Sequence, residues 1–459
     1  MIRIDSDITL GSVAGCLDRF FALSASKIRA LEDRWDPKRG TPVFTDAGKY
    51  SSRGWTEWTQ GFQFGSSILQ FDATGEPEFL ENGRRSTLQF MALHVSHIGV
   101  HDHGFNNVST YGNLLRLMSE GRIESSPWEK AFYEIALKVS GAIQAARWTD
   151  LGNDEGFIYS FNGPHSLFAD TIRSLRSLAI AHHLGHALVG EKDSKISLLH
   201  RLIRHAETTA RYNVYFGRGR DIYDVRGRVA HESIFNVNDG SYRCPNTQQG
   251  YSPFSTWTRG LAWILCGFAE QLEYVVANPL ESELQPYGGR DQVVRFFEEV
   301  AVAVADFYID SSPTDGIPYW DTGAPGLAKL GDYLSRPADP YNEFEPVDSS
   351  AAAIAAQGLL RLGLHFNSRE ERSGDRYFGA GLKIAQTLLD QPYLSIAPEH
   401  EGLLLHSVYH RPNGWDYIPP GKKAPHGEAS MWGDYHAREL AVFLLRLVNG
   451  QPYYRFCTA

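Results

Sequence analysis

Apolar residues recur at three- and four-residue spacing in a dozen segments of this chain, near 13–33, 60–72, 85–99, 106–120, 127–146, 168–189, 194–211, 258–277, 290–310, 349–364, 374–390 and 428–449. That period gathers them on one face of an α-helix. The period-two alternation of a half-buried strand is confined to short loop pieces such as 233–237. Between the helical segments lie loops rich in Gly, Pro and aromatic residues, notably 147–167, 212–257, 311–347 and 391–427. A chain of this kind is all-α, and six helical hairpins closed in a ring account for the number of helices. Such a ring places apolar helices inside and lets the long loops at one end build a cleft. No Ser- or Gly-rich linker, low-complexity tract or charge block separates two halves. Residues 1–459 therefore read as a single domain, with 1–54 as an N-terminal helix and lead-in.

Charge narrows the partners. The chain carries 44 Lys and Arg against 54 Asp and Glu, a formal net charge of −10, and has no run of five or more like charges. That argues against nucleic acid or an anionic membrane as the main partner. The opening residues include Asp5 and Asp7 and lead into no uninterrupted apolar run, so neither a secretory signal nor a membrane span is read. A cytoplasmic location is the expectation. Cys16, Cys244, Cys266 and Cys457 show no C-x-x-C spacing and read as reduced, mostly buried thiols.

The densest chemistry lies in 246–263, where Trp257, Trp263, Arg259, Tyr251 and the amides of Asn246, Gln248 and Gln249 fall close together. Aromatic faces pack on sugar C–H bonds, while amides and a forked guanidinium satisfy hydroxyls and a carboxylate. This is the chemistry of a cleft for an acidic sugar. Trp55 and Trp58 near Gly61, and Trp432 beside Gly433, extend it, since tryptophans next to glycines at helix starts suit a stacking platform better than a core.

A second constellation is His97, His101, Asp102 and His103, with His94 nearby. The histidines invite a metal reading, but no second His/Asp/Glu cluster with familiar spacing completes a site, and none is expected. Asp102 also suits the N-cap of a helix over 103–120. A third is Asp170, in the first turn of a strongly periodic helix after Leu167 and Phe168. An acid among apolar groups is expected to have a raised pKa suited to proton donation, its plainer alternative being a salt bridge to Arg173. Further on, Asp348 or Ser349 is placed to cap the small apolar run 351–360, which reads as buried nearly all round.

In order along the chain stand Trp58-Thr59 with Gly61-Phe62, His101-Asp102 with Gly104-Phe105, Asp170, Gln249-Gly250-Tyr251, Thr256-Trp257 with Arg259-Gly260 and Ala262-Trp263, Pro318-Tyr319-Trp320-Asp321, Asp348-Ser349-Ser350, and Trp432-Gly433-Asp434-Tyr435. This series resembles the unsaturated glucuronyl hydrolases of glycoside hydrolase family 88, from about residue 55 to 449. The resemblance implies an (α/α)6 barrel that needs no metal or organic cofactor. It implies as substrate an oligosaccharide left by a polysaccharide lyase, ending in a 4-deoxy-hex-4-enuronic acid. It assigns Asp170 as general acid and base, and Asp102 as its partner on the sugar hydroxyls, with His101 in support. Trp58 and Trp263 become stacking walls, Gln249 a sugar contact and Arg259 a group near the carboxylate. His231, by its spacing to Gln249, orients water or a hydroxyl.

The sequence departs from the family pattern after Asp170, where Thr171-Ile172-Arg173-Ser174-Leu175-Arg176 stands, and at Leu261 and His103. These changes are expected to border the pocket, and Arg173 and Arg176, if they line it, favour a further anionic group on the substrate. Rival readings are an unsaturated rhamnogalacturonyl hydrolase or a sugar epimerase on the same barrel, the latter using the histidines of 94–103 and 182–186. A sugar-binding protein without catalysis is another.

Overall fold

The structure is a computed structural model describing residues 1–5, 7–54 and 57–457; Trp55, read above as a stacking residue, lies outside them. Five of its helices start where a side chain supplies a partner for the first free N–H groups. Thr9 and Ser12 cap each other's backbone at α1 (Leu10–Arg34). Ser126, followed by Pro127 at the first helical position, opens α5 (Pro127–Ala146), and Ser197 opens α7 (Leu198–Tyr212). Asp348 accepts from the N–H groups of Ser350 and Ala351 at α10 (Ser349–Asn367), and Ser430 accepts from Gly433 at α12 (Met431–Val448). Between these lie α2 (Gln60–Thr74), α3 (Pro77–Phe90), α8 (Thr258–Ala277), α9 (Arg290–Ser311) and α11 (Ser373–Leu388). Two helices are interrupted: α4 joins His103–Asn107 to Asn113–Ser119 through a π-helical turn, and α6 runs as Thr171–Ser174 and then Arg176–His183.

The even-numbered helices pack in sequence, α2 on α4, α4 on α6, α6 on α8, α8 on α10, α10 on α12 and α12 back on α2. The ring is closed. The odd-numbered helices back it from outside, α3 on α2, α5 on α6, α7 on α6, α9 on α8, α11 on α10 and α1 on α12. The fold is an (α/α)6 barrel. Burial follows position: α10 is buried at nearly every residue from Ser349 to Gly363, as its small apolar sequence foretells, whereas α3 buries only Phe79, Gly83 and Thr87. Inner helices approach closely where glycine permits it. A Cβ on Gly61 would collide with the backbone of Asn106, and one on Gly104 with that of Ser174.

Ten of the twelve expected helices lie where the periodicity puts them, within about four residues, and an eleventh, expected over 168–189, ends early at His183, with Leu188–Val189 in a short strand. The twelfth, expected over 85–99, is Pro77–Phe90 followed by a separate turn, Ala92–Val95. The charged stretch 77–84 hides the start of an outer helix, and Pro77 in its first turn sets it. The sheets are small, the largest being three antiparallel strands, Ser166–Phe168, Glu232–Phe235 and Tyr242–Asn246. All four cysteines are unpaired, yet only Cys266 is fully buried and Cys244 is exposed. Among the described residues no helix is long and apolar enough to cross a membrane.

Candidate active site

Every inner helix begins at the same end of the barrel, and the motif residues lie at those starts: Trp58, Asp102, Asp170, Trp257 and Asp348 just before them, and Trp432 in the first turn of α12. Helix N-termini carry partial positive charge, so this end favours an anion. It holds a cavity of about 460 Å³, within the range of small-molecule sites. Trp58, His101, Asp102, Asp170, Gln249, Arg259 and Trp263 all line it.

At the floor His101 Nε2 stands 3.1 Å from Asp170 Oδ1 and 3.8 Å from Asp102 Oδ1, bridging the two carboxylates. Neither aspartate spends its side chain on capping the helix it precedes. The His101 carbonyl is held by Gln144 Nε2 at 2.8 Å and Ser174 Oγ at 2.5 Å, which fixes the loop. Asp170 is placed by the three-stranded sheet, with the N–H of Ala169 donating to the carbonyl of His231 at 2.8 Å.

Burial raises the Asp102 pKa, with His101 opposing and Asp170 adding to the rise. Asp170 differs from the expectation. Burial pushes it up, but the charge and hydrogen bond of His101 outweigh that and leave it lowered. Burial presses down on His101, and the two aspartates overcome it, so its pKa is raised. These shifts favour a proton on the imidazole over one on Asp170.

His231 does not line the cavity itself. Its ring packs behind two wall residues, 4.7 Å from Phe168 and 4.5 Å from Trp257. Its Nδ1 accepts from the backbone N–H of Gln248 at 3.1 Å, which leaves the ring proton on Nε2, a buried nitrogen without a protein partner. Burial lowers its pKa to about 4, so the ring is neutral near pH 7. Arg259 is held on all sides: Nη1 donates to Asp348 Oδ2 at 2.5 Å and the Val408 carbonyl at 2.6 Å, Nη2 to Gln249 Oε1 at 2.9 Å and the Tyr409 carbonyl at 2.8 Å. It contributes positive charge and orients Gln249, whose amide NH2 is left for a ligand.

Several expectations are corrected. Trp432 is no platform: it is fully buried, donates from Nε1 to Ser350 Oγ and stacks under Trp58 at 5.1 Å. Arg173 and Arg176 neither line the cleft nor face solvent; they are buried inside the barrel against Glu270 and Glu439. Asp170 makes no salt bridge to Arg173. His103 turns away to Ser140 Oγ and the His97 carbonyl, and Leu261 is core. Other wall residues belonged to no motif, among them Phe161, Tyr409, His410, Asn413 and Trp415. Their only sequence signal was the aromatic content of the loops around 147–167 and 391–427. Among the described residues, no group of three or more His, Cys, Asp or Glu is arranged to hold a metal.

No sequence-family profile matches the chain. It is 26% identical over 443 residues to an unsaturated glucuronyl hydrolase of Bacillus sp. (strain GL1), covering 94% of this chain and 97% of that protein. It is 22% identical over 396 residues to an unsaturated chondroitin disaccharide hydrolase of Streptococcus agalactiae serotype III, covering 84% of this chain and 81% of that one. Its structure superposes with a TM-score of 0.71 at 20% identity on an unsaturated glucuronyl hydrolase specific for heparin, over 95% of this chain and 98% of that one. The crystal structure of the Bacillus sp. GL1 enzyme gives 0.69 at 22% identity, over 97% and 98%.

Proposed function

We infer that this chain, which belongs to the unsaturated glucuronyl hydrolases of glycoside hydrolase family 88, removes a 4-deoxy-hex-4-enuronic acid residue from the non-reducing end of lyase-generated oligosaccharides. The observation that carries this reading is the imidazole of His101 bridging Asp170 and Asp102 on the floor of a tryptophan-lined cavity.

The substrate's C4=C5 double bond is attached to the ring oxygen and forms a vinyl ether. Asp170 delivers a proton to C4, and positive charge develops at C5, where the ring oxygen stabilises it. Water then adds at C5 and returns a proton to the Asp170 carboxylate. The resulting hemiketal opens, C5 becomes a ketone, C1 becomes a hemiacetal, and its collapse releases the aglycone as an alcohol. No carboxylate needs to attack C1. The lowered pKa of Asp170 is compatible with this role, because a bound uronate adds negative charge beside the carboxylates and raises their pKa values. His101 holds the proton within hydrogen-bond distance and passes it to Asp170. Asp102 holds sugar hydroxyls, Trp58 and Trp263 flank the ring, and His231, packed behind Phe168 and Trp257, supports the wall rather than touching the sugar.

The epimerase reading is the weaker, because His182 lies outside the cavity, bonded to Tyr274 and Glu283, and His94 and His103 are packed away from it. Loss of the ultraviolet absorbance of the conjugated alkene, on adding enzyme to lyase-generated disaccharides, tests the reaction. An unchanged signal across uronate disaccharides of varied linkage rejects it.

A further inference from the structure

Resting on this hydrolysis, we propose that the sugar next to the unsaturated uronyl residue is uncharged and unsulfated, and that Asn413 and Trp415 face it. The cavity has a floor and a mouth. Asp102, Asp170, Arg259 and Trp263 at the floor are buried, whereas His97, Phe161 and Asn413 are exposed and Val100, Gln248 and Trp415 half-buried. An enzyme that removes a terminal residue puts that residue at the floor and the aglycone at the mouth. Those six mouth residues offer aromatic faces, amides and one imidazole, and no lysine or arginine.

A sulfate ester is a permanent anion, and taking it out of water without a cation that has donors to spare is costly. Among the described residues lining the cavity the only arginine or lysine is Arg259. Both its terminal nitrogens are already bonded to four protein oxygens, and its charge lies at the floor, where the uronate carboxylate goes. His410 is engaged by Asn413 and stays neutral near pH 7, burial having lowered its pKa to about 4. Nearby cations are directed elsewhere. Arg53 donates to the Trp415 carbonyl and pairs with Asp46, and Arg411 has Asp416 beside it and does not line the cavity. Arg173 and Arg176, which would have argued for a second anion, are sealed in the barrel. Asp102 and Asp170 in the same cavity would repel a sulfate rather than bind it. The mouth loop is also pre-shaped, since Asp416 accepts from the N–H groups of Tyr409 at 2.5 Å and His410 at 3.2 Å. An aromatic ring on a fixed loop suits the apolar face of a neutral hexose.

The test compares two disaccharides with the same unsaturated uronyl residue and linkage, one with an unsulfated second sugar and one with that sugar 6-O-sulfated. The unsulfated compound is expected to show a kcat/KM about tenfold or more higher, mainly through KM. Equal or faster turnover of the sulfated compound overturns the proposal and leaves the hydrolysis intact. No absorbance loss with either overturns the hydrolysis itself. Asn413→Arg, at an exposed position that folding tolerates, is expected to shift the sulfated-to-unsulfated kcat/KM ratio about tenfold toward the sulfated sugar. A ratio that does not move overturns the placement of Asn413 against the aglycone.

Discussion

At the scale of single residues, the floor of the site is a proton shared among three side chains. His101 has a pKa raised above its usual 6.5 by the two aspartates it touches. On the proposed mechanism this is the proton that Asp170 delivers; it is present at pH below the raised value and lost as pH rises through it, which puts the alkaline limb of kcat/KM above 6.5. Replacing His101 by Gln leaves only carboxyl groups to hold that proton, and the limb is expected to move to lower pH; a pH–rate profile with an unmoved limb would place the proton elsewhere. Asp170→Asn is expected to lower kcat by about 10² to 10⁴ while KM changes little, as steady-state kinetics on a lyase-generated disaccharide will read. The aspartates were legible from their motifs, but their proton balance was not. A raised pKa for Asp170 follows from apolar neighbours in sequence, and what reverses it is His101, sixty-nine residues away in the chain.

At the scale of elements, packing of the inner helices and geometry of the site are one problem. The Gly104 N–H donates to Ser174 Oγ at 2.9 Å, and the same Oγ donates to the His101 carbonyl. α4, α6 and the loop that carries His101 and Asp102 thus meet at one small residue. Gly104→Ala forces α4 away from Ser174 and is expected to cost about 1–3 kcal/mol, read as a lower urea midpoint. Because His101 shifts with it, kcat is expected to fall even where the variant is fully folded. The helices themselves were readable because a 3.6-residue period survives wherever one face is buried. It failed at α3, whose polar outer sequence leaves three buried positions to betray it. The mouth loop carried no period at all, so Asn413 and Trp415 could be placed only by the fold.

At the scale of the whole molecule, the interior of the barrel is held by buried charges that the sequence alone invited one to put in the cleft. Arg173 on α6 meets Glu270 on α8 at 2.9 Å and Glu439 on α12 at 3.0 Å. Arg176 also pairs with both, and Arg361 on α10 pairs with Glu273 at 2.6 Å. A companion network ties Asp72 on α2 to Arg116 on α4 at 2.8 Å and Arg446 on α12 at 2.9 Å. Together these pairs join all six inner helices. The C-terminal segment covers them, with Arg361 over the rings of Tyr453 and Tyr454 and Arg176 over Phe456. A single sequence cannot distinguish an arginine in a pocket from one in a closed network, because the partners that decide it, Glu270 and Glu439, lie on other helices far along the chain. The energetic consequence is specific. Buried pairs are little screened by salt and add modest net stability when complete, but removing one partner strands the other in a dry interior at a cost of about 3–5 kcal/mol. Glu439 is fully buried and shared by Arg173 and Arg176, so Glu439→Ala is expected to lower stability by about that amount. Chemical denaturation would show it as a loss that added salt does not restore, and KM of the folded fraction is expected to stay unchanged, since neither arginine reaches the cavity. A loss below about 1 kcal/mol, or one recovered by salt, would mean that the network is wet and that closure of the ring rests on apolar packing alone.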